Sequence, residues 1–205
     1  MSLENKRNVG TLLFNPFIYI AGFQALFLGL TAVLLAGLIG SFAHLHMDGV
    51  LDMHLGAPAK IWIYLLEGLI DWLSMGLVLL VLGRLVFRTP FRSIDLLGTQ
   101  ALARWPTVLM NLVGLLMPMS RFTTYLLRRL TTGVDVGFNL GDAIIFCAAT
   151  LAILLLICWM VVLMYRSYTV SCNAKGAKAI WTFIVGLILA EALSKFTVLW
   201  MLKTY

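Results

Sequence analysis

Residues 61–83 read IWIYLLEGLIDWLSMGLVLLVLG, an apolar run interrupted by only two charged side chains, Glu67 and Asp71. A helix crossing a hydrocarbon core of about 30 Å needs roughly 20 mainly apolar residues. The run meets that length. Lipid offers no water to satisfy the backbone of an open strand, so the run must be helical. Four further segments of this kind lie at about 17–43, 96–117, 143–165 and 179–201. The expectation is an all-α membrane protein, a single domain over residues 1–205 built as a bundle of five transmembrane helices.

Composition points the same way. Hydrophobic residues make up 61% and charged residues 12%, with a mean hydropathy of +0.98; ordinary globular domains have about 45–50% and about 25%. The net charge of +6 does not indicate nucleic acid, because Lys and Arg fall mainly between apolar runs and form no patch. Cations at helix ends suit a bilayer with anionic head groups. Cys147 and Cys158 sit inside an apolar run and Cys172 in a polar connection, which is not a disulfide framework. The first run is too long for a signal-peptide core and is expected to stay as an anchor.

The ends of the runs carry their own signals. Pro58 suits an early position of the second helix, Ser93 a cap on the third, and Asp142 the start of the fourth. Orientation follows from Lys and Arg in the connections. Lys6, Arg7, Arg84, Arg88, Arg92, Arg166, Lys175 and Lys178 share one side, eight against the five of Lys60, Arg121, Arg128, Arg129 and Lys203. The N-terminus is expected in the cytoplasm and the C-terminus outside. In the third connection, Arg121–Leu130 has the pattern of an amphipathic helix. Phe122, Tyr125, Leu126 and Leu130 would enter the membrane interface, with Arg121, Arg128 and Arg129 reaching lipid phosphates. Gly133, Gly137 and Gly141 recur every four residues but are interrupted by Asp135 and Asn139, which favours a loop.

Two sets of residues could carry chemistry. His44, His46, Asp48, Asp52 and His54 crowd one short connection, and imidazole with carboxylate is good ligand chemistry for zinc or a similar cation. Their spacing matches no zinc motif, and Asp48-Gly49 equally signals a polar turn. The second set lies within the spans. Glu67 and Asp71 are one turn apart on the second run, about 9 and 15 Å from its start, and Glu191 and Lys195 lie at matching depths on the fifth. Glu67 can face Lys195, while Asp71 can face Glu191 or reach Arg104 on the third. Such charges either fix helix packing or carry protons and cations. Arg104-Trp105-Pro106 adds a kink to the third run. No nucleophile elbow, P-loop or dinucleotide fingerprint is present, so no enzyme is expected.

The five-run layout and three local strings resemble the Yip1 family in its small bacterial form. The strings are Asn15-Pro16-Phe17, Asp48-Gly49-Val50-Leu51-Asp52-Met53-His54 and Ala103-Arg104-Trp105-Pro106. The resemblance implies a five-span protein of the bacterial inner membrane. Eukaryotic members associate with small GTPases in vesicle trafficking, but this chain lacks their Gly-Tyr motifs. Two functions follow as expectations. One is a non-enzymatic protein that organises the bilayer or partner proteins, as a homo-oligomer or with another membrane protein. The other is a proton- or cation-coupled transporter using the intramembrane cluster, with the His/Asp loop as an outer collecting site.

Overall fold

The computed structural model describes residues 9–87, 90–133 and 137–204. Lys6, Arg7 and Arg88, which entered the orientation count, and Asp135 lie outside the described residues. The fold is all-α apart from one short hairpin. Its elements are α1 (Val9–Phe14), a 3-10 turn (Pro16–Ile18), α2 (Gly22–Ala43), β1 (Leu45–His46), β2 (His54–Leu55), α3 (Ile61–Phe87), α4 (Ser93–Ala103), α5 (Pro106–Gly114), α6 (Met117–Thr132), α7 (Leu140–Ser171) and α8 (Gly176–Thr204).

Among the described residues four helices are each long and apolar enough to cross a membrane: Gly22–Ala43, Ile61–Phe87, Leu140–Ser171 and Gly176–Lys203. Many of their large apolar side chains point outward, and Phe27, Leu155, Trp181 and Phe196 are all more than half exposed. Water would not tolerate so much contiguous apolar surface. Polar ties lie inside instead. Thr99 on α4 meets Ser167 and Ser171 of α7 at 2.7 and 2.8 Å, and Gln100 donates to the Met164 carbonyl at 2.9 Å. Around them pack Met75, Leu79, Leu96, Met160, Leu163 and Tyr168.

The third expected span is not one helix. Pro106 has no N–H to return to Leu102, so Trp105 donates to the Leu102 carbonyl at 3.1 Å and the chain tightens between α4 and α5. Ser93–Gly114 then meets α6 at a bend of 74°. Small residues set the closest crossing. A Cβ on Gly29 of α2 would strike the α4 backbone at Ala101 and Leu102, and one on Gly98 of α4 would lie 2.5 Å from the Gly22 carbonyl. Glycine at both positions lets the two backbones touch.

Several terminal signals resolve differently. Pro58 precedes α3 by three residues and lies outside it. Ser93 is the first residue of α4, and its hydroxyl accepts from Arg84 at 2.6 Å. Asp142 does lie in the first turn of α7, but the cap is Asn139, whose side chain accepts from the amides of Gly141 and Asp142. Gly133 ends α6 in the left-handed conformation at φ +68, whereas Gly141 is helical. In α6, Phe122 turns towards α7, 5.0 Å from Phe146, and Tyr125 packs on Phe122 and Phe138, while Leu130 is exposed.

Candidate functional site: a loop held by buried charge

The connection between α2 and α3 does not stand away from the bundle. His44 ends α2 in the left-handed conformation (φ 54), and its N–H donates to the Gly40 carbonyl. The chain then forms an antiparallel ladder pairing Leu45 with Leu55 and His46 with His54. The tip between these strands tucks inward, leaving Val50 fully buried. Non-helical backbone at membrane depth persists only where protein satisfies its polar groups. Here charged side chains from three helical segments do so.

Glu67 of α3 is buried and uses both oxygens. Oε1 lies 2.9 Å from His46 Nδ1, and Oε2 accepts from the Met47 N–H at 3.1 Å. His46 Nε2 lies 3.0 Å from the Ala57 carbonyl, which can only accept, so Nε2 carries a proton. One further proton is then shared between Nδ1 and Glu67. The pair is imidazolium with carboxylate, or neutral imidazole with carboxylic acid. The hydrogen bond to Glu67 raises the His46 pKa above its ordinary 6.5, and burial opposes it. The ring stacks on Tyr64 at 4.4 Å, and the Tyr64 hydroxyl accepts from the Ala59 N–H at 3.2 Å.

Arg104, at the break between α4 and α5, is 1% exposed and works in two directions. Nη2 donates to Asp71 Oδ2 at 2.9 Å and Nη1 to the Val50 carbonyl at 3.3 Å. The other oxygen of Asp71 accepts from the Ser194 hydroxyl of α8. Glu191 of α8 accepts from the Leu51 N–H at 2.9 Å. Its carboxylate lies so close to Gly49 that a Cβ there would collide with it. Lys195 donates to Asp52 at 2.5 Å and stands 3.7 Å from Glu191. That contact is half open to solvent, and the Lys195 ammonium holds the Asp52 carboxyl below its usual range.

The structure therefore gathers Glu67, Asp71, Arg104, Glu191 and Lys195 at one end of the bundle, with the loop between them. Asp71 reaches Arg104 as one reading of the sequence had it, but Glu67 does not face Lys195. The loop backbone comes between α3 and α8 and takes each as a partner. His44, His46, Asp48, Asp52 and His54 do not form a ligand shell. Among the described residues no group of three or more His, Cys, Asp or Glu side chains is placed to hold a metal ion. The reason is local. His44 ends α2 through its backbone and its side chain is exposed, both His46 nitrogens are engaged, Asp52 turns to Lys195, and His54 lies 3.4 Å from Asp48.

Sequence reasoning missed Ser194 and Tyr64 as members of the cluster. A face-by-face reading would have found both, since Ser194 shares a helix face with Glu191 and Tyr64 with Glu67. The cavity beside Glu67, Arg104 and Asn111 is about 10 Å³, no more than one water's worth of space. Fold and site together define a class: an apolar helical bundle in which buried charges clamp a tucked loop. Comparison with known proteins finds no matching family model, no matching curated protein and no matching solved structure.

Proposed function

We propose that this chain is a non-enzymatic multi-pass membrane protein that organises the bilayer or partner membrane proteins, with its intramembrane charges acting as a latch on the 44–60 loop. The observation that carries the reading is the pairing of charge with loop backbone: Glu67 with the Met47 amide, Arg104 with the Val50 carbonyl, Glu191 with the Leu51 amide. A transport site at Glu67 itself needs room and exchangeable partners, and the space beside that carboxylate is about 10 Å³. The rigid end left by the latch, and the long apolar faces of α7 and α8, suit lateral association. We place the protein in a bacterial inner membrane as a Yip1-like five-span chain, N-terminus in the cytoplasm and C-terminus outside. Ser93–Gly114 supports the fifth crossing. Ser93 lies beside Arg84, near the far end of α3, and Gly114 lies against Leu45 at the loop end. At 1.5 Å per residue it spans about 33 Å.

The test is an affinity-tagged, full-length preparation in mild detergent and in nanodiscs, with cross-linking. A homo-oligomer or a co-purifying membrane protein is expected, and a monomer free of partners contradicts the proposal. One arrangement favours the alternative of proton-coupled transport. His54 stacks 5.7 Å from His46, which leads from an exposed edge to buried Glu67. Proteoliposomes that move protons or cations down a gradient, and lose this with Glu67→Gln, would establish that reading instead.

A further inference from the structure

A second charged region, between α6 and α7, belongs to no part of the latch. Arg121 and Arg128 of α6 are seven residues apart, two turns and about 10.5 Å along one face. With Ser120, Thr124, Asn139 and Asp142 they line a cavity of about 450 Å³. That is the size of small-ligand sites, about 300–1,000 Å³.

Its charged donors are Arg121 and Arg128, beside the neutral side chains of Ser120, Thr124, Tyr125 and Asn139. The Ser120 and Thr124 hydroxyls donate back to α6 carbonyls at 3.0 and 2.8 Å, and Asn139 already caps the first amides of α7. Arg121 gives Nη2 to Asp142 at 2.7 Å, but its side chain is 60% exposed and four N–H donors remain beyond that bond. Arg128 is exposed and makes no ion pair among the described residues. The Asp142 carboxylate opposes an anion, yet Arg121 neutralises it and the charge of Arg128 is left over. Two guanidinium forks on one face match the oxygens of a phosphate.

The surroundings say where that phosphate comes from. Leu127 and Leu130, on the same helix, are exposed apolar side chains that need lipid contact. Phe122, on the cavity wall, touches Phe146, which lines a mainly apolar groove of about 550 Å³ with Met119, Ile153 and Ile157, bordered by Asp52 and His54 of the loop. Basic recess and apolar groove thus share an aromatic wall on α6 and α7. We propose that this recess binds the phosphate head group of an anionic phospholipid through Arg121 and Arg128, with an acyl chain along the Met119–Ile157 groove.

Native mass spectrometry of the full-length protein tests this, after equilibration in detergent with equal phosphatidylglycerol and phosphatidylcholine. Wild type retains phosphatidylglycerol preferentially. A basic side chain near a membrane surface contributes about 1 kcal/mol, so Arg128→Gln should weaken retention roughly five-fold. Arg166→Gln, an exposed arginine near the other end of α7, leaves it unchanged. Asp142→Asn frees Arg121 and raises retention. Equal retention of both lipids, or equal losses in Arg128→Gln and Arg166→Gln, overturns the proposal. Displacement of phosphatidylglycerol by inorganic phosphate overturns the lipid assignment in favour of a free phosphate.

Discussion

The latch beneath the 44–60 loop and the recess between α6 and α7 use arginine and carboxylate in opposite ways. In the latch, Arg104 and Asp71 are buried against each other, and what remains of Arg104 reaches the Val50 carbonyl. In the recess, Arg121 meets Asp142 at the same kind of distance, 2.7 Å, but its side chain is 60% exposed and Arg128 beside it is unpaired among the described residues. Burial makes the difference. A charge inside the hydrocarbon must be matched by protein, because lipid supplies nothing. A charge at the interface can leave donors for water or a head group.

The largest expected effect lies at the deeper arginine. Arg104→Met leaves Asp71 without its cation and Val50 without its donor, and breaking one side of a buried pair costs about 3–5 kcal/mol. Melting temperature should fall steeply and recover in part in the Asp71→Asn, Arg104→Met double variant. Arg128→Gln, the matched change in the recess, should stay within about 0.5 kcal/mol. Equal losses at the two arginines would erase the distinction between the regions.

Gly49→Ala comes next. Its Cβ would collide with the Glu191 carboxylate, and overpacking of this kind costs about 1–3 kcal/mol. Added to Glu191→Ala it should cost much less, and that non-additivity locates the clash. Additive losses would mean that the loop tip lies elsewhere.

The pH dependence is smaller and has a definite sign. Glu67 raises the His46 pKa, so the pair's stabilisation is complete below about 6.5, the ordinary histidine value. It is lost as pH rises through the raised value. Glu67→Gln keeps both contacts, its amide oxygen accepting from Met47 and its NH2 donating to a neutral His46. Thermal unfolding across this range should therefore slope in wild type and flatten in the variant. The smallest change is expected of Asp52→Asn, because its contact with Lys195 is open to solvent on both sides and screened.

Much of the bundle was legible in the sequence, because lipid sets one length and one polarity for every crossing. Residues 61–83 became α3 from its first residue, and the fourth and fifth runs lengthened into α7 and α8. The third broke at Pro106, where a missing N–H was already visible. The amphipathic stretch 121–130 is helical within α6, and its Phe122 and Tyr125 pack on Phe146 and Phe138. The cluster was legible as a set of residues and illegible as a set of partners. Rise per residue matches depths and says nothing about an intervening chain. Glu67 and Lys195 lie on helices that do pack together, yet the loop occupies the space between their side chains. One sign of this stood in the sequence: Val50, Leu51 and Met53 are apolar residues in a stretch read as a polar turn.

The most direct test of the latch is backbone hydrogen exchange at Met47 and Leu51 in the full-length protein in nanodiscs. Slow exchange at both amides is expected in wild type, with Glu191→Ala releasing Leu51 and Glu67→Ala releasing Met47. Fast exchange at both amides in wild type would show a loop free in solvent, and the charges beneath it would need another purpose.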